Sequence, residues 1–236
     1  MADAPVAIIT GASSGIGRAA ALRLADRGYR LVLAARTADR LEHVAGEARQ
    51  AGAARVEAVA TDVGDPAQME SLIDHAKATF GRIDILINNA GYAPLIPVGQ
   101  MDRHLIVDSF MINAVGPAVA INRVFPIMLA QRYGRIVNTS TLGTKDPFTG
   151  FMVYAGAKTA TNLFAQSICR EGAEHNVLGF TVAPGAVETP MLRALFDEKK
   201  IPREATLDAD EVASIIVACA CGERDHQAGE TIYISR

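Results

Sequence analysis

Short runs of apolar, often β-branched residues alternate along this chain with longer stretches in which apolar residues return every three or four positions. The short runs fall at 6–10, 30–35, 55–60, 83–88, 135–140, 177–182 and 231–234, and the longer ones at 16–27, 41–51, 66–79, 103–131, 153–174 and 209–220. The first pattern predicts strands and the second predicts helices. Strand and helix in alternation predict an α/β fold with a parallel sheet covered by helices on both faces. Runs such as Val6-Ala7-Ile8-Ile9 and Ile83-Asp84-Ile85-Leu86-Ile87 are nearly continuous, as expected of strands buried on both sides. Local signals agree. Asp65-Pro66 offers a helix cap followed by proline in the first turn, and Gly81 marks the end of that helix. Gly116-Pro117 and Pro126 predict that 103–131 is kinked or broken. With no linker, repeat or low-complexity tract visible, residues 1–236 are expected to form one domain.

Composition narrows the class. Half of the 236 residues are hydrophobic and the net charge is -3, which suits a globular protein and gives no basic field for nucleic acid or an anionic membrane. No uninterrupted apolar run approaches the roughly 18 residues needed to cross a bilayer. Met1-Ala2-Asp3-Ala4-Pro5 lacks the basic start of an export signal, so a cytoplasmic location is expected. Cys169, Cys219 and Cys221 make no disulfide framework. Cys219 and Cys221 with His226 lack a second ligand cluster at a metal-site spacing, so no metal is expected.

Three positions carry chemistry. Thr10-Gly11-Ala12-Ser13-Ser14-Gly15-Ile16-Gly17 joins the first strand to the first helix. Glycines there permit a tight turn and close backbone approach, while a helix N-terminus favours negative charge, so the segment reads as a phosphate cradle. The second strand ends in Ala34-Ala35-Arg36-Thr37. An acid at that position takes a ribose hydroxyl, whereas an arginine accommodates a 2′-phosphate, so Arg36 favours NADP(H) while NAD(H) remains admissible. Tyr154 and Lys158 stand four residues apart in a helical stretch and share one face. A lysine beside a tyrosine lowers the phenol's pKa, so the pair reads either as a proton-transfer centre or as an ordinary helix-surface contact.

In that context the chain resembles the compact branch of the short-chain dehydrogenase/reductase family. The likeness runs from Val6 to about Ile234. It rests on Thr10 to Gly17, Asp62-Val63, Asn88-Asn89-Ala90-Gly91, Asn113, Ser140, Tyr154 to Lys158, and Pro184-Gly185 followed by Thr189. The resemblance implies a single Rossmann-type doubly wound domain of about seven parallel strands. It also implies a reversible hydride transfer between a nicotinamide and a carbonyl or secondary alcohol. Tyr154 would be the acid and base, with Lys158 tuning it and reaching the nicotinamide ribose. Ser140 would hold the substrate oxygen, and Asn113 would support a water leading from Lys158. Gly11, Ser13, Ser14 and Ile16 would take the phosphates. Asp62 and Val63 would line the adenine, Asn89, Ala90 and Gly91 the adenosine ribose, and Pro184, Gly185, Val187 and Thr189 the nicotinamide end.

The chain departs from the family pattern in places. Ser140 precedes Tyr154 by fourteen positions, one more than is usual. Either the loop 143–152 carries an insertion or Thr141 takes the hydroxyl role; Ser140 keeps Gly143 in place. Ser14 stands where many NADP-using relatives carry a basic residue, which leaves the 2′-phosphate mainly to Arg36. The C-terminus lacks a tail common in tetrameric relatives, and a homodimer or homotetramer is expected through 103–131 and 153–174. Segments 92–98, 142–152 and 189–207 would select the substrate, with the last expected to act as a small mobile lid. Leu142, Phe148 and Met191 predict a small to medium apolar ketone or alcohol, although Arg193 and Lys145 leave an acidic one open. An epimerase or dehydratase, or a silent NADP(H)-binding regulator, is the alternative class.

Overall fold

The apolar runs form seven strands in a computed structural model that describes residues 4–236: β1 (Val6–Thr10), β2 (Arg30–Ala35), β3 (Arg55–Ala60), β4 (Ile85–Asn88), β5 (Gly134–Thr139), β6 (Val177–Pro184) and β7 (Thr231–Ile234). The reading of the N-terminus rests partly on Met1, Ala2 and Asp3, which lie outside the described residues. The strands make one parallel sheet in the order β3-β2-β1-β4-β5-β6-β7. Ile8 on the central strand pairs in register with Val32 on one side and Leu86 on the other. The strand order reverses between β1 and β4. In such sheets the crevice beyond the strands' carboxyl ends at that point is where ligands bind.

Alternation along β1 explains the two layers of helix. Ala7 and Ile9 join a core with α1 (Gly15–Asp26), α2 (Ala38–Gln50) and α8 (Ala209–Ala220). Val6 and Ile8 face the other way, toward α3 (Pro66–Phe80), α5 (Gly116–Gln131) and α6 (Met152–Gly172). Asp65 caps α3 by accepting from the N–H groups of Ala67 and Gln68 at 2.9 and 3.3 Å, and Gly81 ends it at φ +73°.

The structure corrects three expectations. β4 begins at Ile85 rather than 83, because the buried Asp84 carboxylate takes the Val6 N–H at 2.8 Å in place of a main-chain acceptor. As expected from Gly116-Pro117, the stretch 103–131 is broken, into α4 (Arg103–Phe110), a π-helical turn at Met111–Val115, and α5. The interruption sits just before Gly116-Pro117, while Pro126 stays within α5. A Cβ on Gly116 would lie 2.1 Å from the Val63 carbonyl oxygen, so the helix crosses the loop after β3 at backbone contact. Arg103–Gln131 is long enough to cross a bilayer and contains an 18-residue stretch apolar enough to do so, with mean hydropathy 1.5. The sequence pattern hid this because Asn113, Asn122 and Arg123 interrupt the apolar residues. In the fold, Ala120, Val124 and Met128 on this run are buried in the core shared with the sheet and α3. Finally, α7 (Pro190–Leu195) is a short helix that the apolar periodicity did not reveal.

Candidate active site

A cavity of about 500 Å³ extends along the carboxyl ends of the strands, from the start of α2 past the α1 N-terminus to α7. At its first end, Gly11 leaves β1 at φ +66°, and a Cβ there would lie 2.8 Å from the Ala90 Cα. A Cβ on Gly17 would sit 2.3 Å from the Gly11 carbonyl oxygen. The loop therefore lies against the end of β4, and polar groups lock it there. Thr10 Oγ1 accepts from the N–H groups of Asn89 and Ala90 at 3.0 and 3.1 Å, and Asn89 Nδ2 donates to the carbonyls of Thr10 and Gly11 at 3.1 and 3.3 Å. Asn89 thus commits its side-chain amide to holding the loop.

The loop fits a bound phosphate. Ser14 precedes α1 in extended conformation without a side-chain cap, and no acid occupies the first turn. The first N–H groups and the positive end of the helix consequently open toward a cavity that Gly11, Ser13, Ser14, Gly15 and Ile16 line. Arg36 lines the same end, together with Thr37 and Arg40. Arg40 is absent from the sequence reading, though its place four residues after Arg36 is the signal that reveals it. Asp62 and Val63 are on the wall too. Asp62 Oδ1 accepts from the Gly64 N–H at 2.9 Å, which shapes the turn after β3. Asn89, Ala90 and Gly91 complete this side.

The first turns of α6 bring Tyr154 and Lys158 to the centre of the cavity wall, and both are buried. Lys158 Nζ donates to the Thr139 carbonyl oxygen at 2.8 Å. Burial pushes the Lys158 ammonium down to about 8 and the Tyr154 phenol up to about 12. The phenol is therefore raised, against the expectation that the lysine draws it downward. The reason is the surroundings: Tyr154 packs with Ala93, Phe151 and Ala155, and the Phe151 ring meets it edge-on at 4.8 Å. The upward shift comes from desolvation of the phenolate.

Ser140 is buried on the same wall; among the described residues its Oγ makes only a long 3.4 Å bond to the Lys158 carbonyl. Thr141 lines the cavity as well, but its hydroxyl accepts from the Gly143 N–H at 3.2 Å as the cap of a short 3-10 turn, Leu142–Thr144. Ser140 is the less committed hydroxyl. Asn113 is fully buried and does not line the cavity. It sits in the π-helical turn behind Gly91, whose Cβ would lie 3.1 Å from Asn113 Oδ1 and 3.5 Å from Lys158 Nζ. Its amide grips the main chain of Tyr92, accepting from the N–H at 3.1 Å and donating to the carbonyl at 2.8 Å.

Beyond β6 the wall continues through Pro184, Gly185, Val187 and Thr189. Thr189 caps α7, accepting from the Leu192 N–H at 3.3 Å and donating to the Val187 carbonyl at 3.2 Å. Leu142, Phe148 and Met191 face the cavity from the two segments on either side. Phe148 stacks on Phe151 at 4.1 Å and meets Phe196 edge-on at 6.2 Å, so the two segments touch. Arg193, left open above for an acidic substrate, is taken up within its own segment. It pairs with Glu188 through both guanidinium branches, one at 2.8 Å, and donates to the Ile201 carbonyl at 2.7 Å. Lys145 lies over the Tyr233 ring at 5.7 Å. Among the described residues no group of three or more His, Cys, Asp or Glu could hold a metal ion.

Comparison with known proteins accords with this geometry. A sequence model described as short chain dehydrogenase matches residues 5–200. The chain is 31% identical over 243 residues to the 3-oxoacyl-(acyl-carrier-protein) reductase FabG of Escherichia coli, covering 99% of this chain and 96% of that one. It is 36% identical over 198 residues to an uncharacterized oxidoreductase of Staphylococcus saprophyticus, covering 82% and 78% respectively. The crystal structure of levodione reductase superposes with a TM-score of 0.90 at 27% identity, covering 98% of this chain and 96% of that one.

Proposed function

The chain belongs to the short chain dehydrogenase family, whose members are oxidoreductases that bind NAD(P), and on that premise we propose that it is an NADP(H)-dependent reductase of ketones and dehydrogenase of the matching secondary alcohols. The observation that carries this reading is the meeting of a buried Tyr154–Lys158 pair and an open helix N-terminus on the wall of one cavity. All of 1–236 acts as one domain, with 92–98, 142–152 and 189–207 forming the substrate end.

Gly11, Ser13, Ser14 and Ile16 hold the phosphates at the α1 N-terminus, and Arg36 with Arg40 takes the 2′-phosphate. Asp62 and Val63 line the adenine side, Asn89, Ala90 and Gly91 the adenosine ribose, and Pro184, Gly185, Val187 and Thr189 the nicotinamide side. When bound, the nicotinamide supplies or accepts the hydride. Ser140 Oγ–H donates to the substrate oxygen and stabilises the charge that grows there. Tyr154 Oη, which its raised pKa keeps protonated, delivers the proton to that oxygen in reduction and recovers it in oxidation. Lys158 Nζ holds a positive charge near the phenol and is anchored by Thr139. Asn113 fixes Tyr92 and so the loop beside the substrate. FabG of Escherichia coli is a reductase of 3-oxoacyl groups, which supports the direction of reduction.

The test is NADPH absorbance at fixed enzyme with a panel of cyclic, aryl and alkyl ketones. Turnover of at least one ketone is expected, with a loss of about 10² to 10⁴-fold in Tyr154→Phe and unchanged NADPH binding. Comparable turnover by Tyr154→Phe would remove Tyr154 as the acid. Binding of NADPH with no turnover across the panel would favour a silent regulator.

A further inference from the structure

The substrate end of the cavity presents one exposed carboxylate, without a partner among the described residues, and one half-exposed aromatic ring. Asp146 lines the cavity two residues before Phe148, and no described residue pairs with it. The cations near that end are spent elsewhere: Arg193 on Glu188, and Lys145 on the face of Tyr233. Arg36 and Arg40 belong to the opposite end of the same cavity, beside the α2 N-terminus.

The loop that carries Asp146 is held in place before any ligand arrives. The N–H groups of Lys145 and Asp146 both donate to the Leu142 carbonyl, at 2.9 and 3.2 Å. Thr144 Oγ1 donates to the Thr141 carbonyl at 2.9 Å, receives a bond from Asn162 Nδ2 at 3.1 Å, and lies 3.2 Å from the Tyr233 hydroxyl. Phe148 is half exposed yet stacked on Phe151 and edged by Phe196. An exposed carboxylate on a loop whose backbone is anchored, two residues from an aromatic ring on the same cavity wall, suits an organic cation: the carboxylate supplies the counter-charge, and a ring face attracts ammonium groups that a neutral or anionic ligand does not bring. Pre-formed geometry lowers the entropic cost of binding such a group.

Building on the reductase reading above, we propose that Asp146 and Phe148 make the substrate end selective for an apolar ketone or alcohol that carries an ammonium group, an amino ketone or amino alcohol by chemical class. Asp146 is the counter-ion, Phe148 the aromatic wall, and an acidic substrate is disfavoured.

The experiment has two readouts on the holoenzyme with saturating cofactor. The first is calorimetric binding of benzylammonium, benzyl alcohol and phenylacetate to the complex with NADP⁺. The second is NADPH-dependent turnover of a cyclohexanone and its aminomethyl counterpart. Benzylammonium is expected to bind about five- to tenfold more tightly than benzyl alcohol, with phenylacetate weakest, and Asp146→Asn is expected to erase that order. The ratio of kcat/KM for the amino ketone over the neutral ketone should fall by a similar factor in Asp146→Asn, mainly through KM, and by less in Phe148→Leu. Equal affinities for the three ligands in the parent, or an order that survives in Asp146→Asn, overturns the proposal. Ligand selectivity that depends on Asp146, without turnover of either ketone or of any in the panel above, keeps the cation site and instead refutes the reductase reading.

Discussion

The ammonium of Lys158 donates a 2.8 Å hydrogen bond to the carbonyl oxygen of Thr139, the last residue of β5. The contact secures a buried cation to the strand end, and burial still drives the lysine down to about 8. An unfolded lysine titrates near about 10.4, so the unfolded chain holds this proton more tightly than the folded one. The penalty is complete below about pH 8 and fades as the pH rises toward the unfolded value. Lys158→Met should therefore stabilise the cofactor-free protein at pH 7 by about 2 to 3 kcal/mol, even after losing the bond to Thr139. Urea midpoints across pH 7 to 10 provide the measurement, and the advantage should shrink as pH rises. A variant no more stable than the parent at pH 7 rules out a desolvated charge at this position.

Tyr154 carries the opposite dependence. Its phenol is pushed up to about 12 by burial, so in the cofactor-free protein it is protonated throughout the neutral range. An acid that is already protonated gives a reduction rate that stays level from about pH 6 to 9. Oxidation of the alcohol needs the phenolate, so its rate should climb with pH over the same interval. Matched pH profiles in the two directions check this. A reduction rate that declines tenfold per pH unit from pH 6 would show a phenol with a far lower pKa than burial implies.

Two glycines in helices should respond to alanine with opposite signs. At Gly17 the added Cβ would collide with the Gly11 carbonyl oxygen at 2.3 Å, and that oxygen cannot move without opening the phosphate loop. Gly17→Ala should lose about 1 to 3 kcal/mol and with it most NADPH affinity. Gly46, inside α2, has nothing within 4 Å of its Cβ position, so Gly46→Ala should gain about 0.5 to 1 kcal/mol through helix propensity. Thermal melts and NADPH fluorescence titration distinguish them. Equal effects at the two sites would remove the collision as the cause.

What the sequence made legible follows from how local each signal is. The apolar runs located all seven strands, and Asp65, Pro66 and Gly81 marked α3, because those signals are carried by neighbouring residues. Gly116-Pro117 marked the break in 103–131, but its form, a π-helical turn at Met111–Val115 where Gly116 passes the distant Val63 carbonyl, did not show in the local pattern. The same holds in the site. Tyr154 and Lys158 were visible from their helical spacing, but the direction of the Tyr154 shift depends on Phe151 and Ala93 closing over it. Arg193 looked available for a substrate because its partner Glu188 meets it only once α7 turns back.

Asn113 tests whether a buried side chain that never lines the cavity still shapes it. Its amide makes bonds to both backbone groups of Tyr92 and to the Ser109 carbonyl, the last at 2.8 Å. Asn113→Leu keeps the volume but leaves those main-chain groups without partners, at a cost of about 1 to 3 kcal/mol. Segment 92–98 should loosen, so KM for ketone is expected to rise more than NADPH affinity falls. Asn113→Asp should restore less than half of the loss, because a carboxylate accepts from the Tyr92 N–H but cannot donate to its carbonyl. A fall in kcat alone, with KM unchanged in both variants, would assign Asn113 to proton transfer rather than to holding the loop.

Arg36 and Arg40 give the sharpest test of cofactor preference, since both line the cavity beside the start of α2 and neither has an acidic partner among the described residues. A charge-assisted bond contributes about 1.5 to 3 kcal/mol, so losing one should weaken NADPH by roughly 10- to 150-fold while leaving NADH nearly unchanged. Arg36→Ala alone should fall at the low end of that range, because Arg40, four residues later, can still reach the phosphate. Arg36→Ala with Arg40→Ala should exceed the sum of the single losses if each arginine covers for the other. Arg36→Asp should go further, adding repulsion toward the phosphate and an acceptor for a ribose hydroxyl, and so turn the preference toward NADH. Dissociation constants for both cofactors, measured by fluorescence at two salt concentrations, settle the matter. An NADPH affinity that is the same in the double variant as in the parent would take the 2′-phosphate away from this end of the cavity altogether.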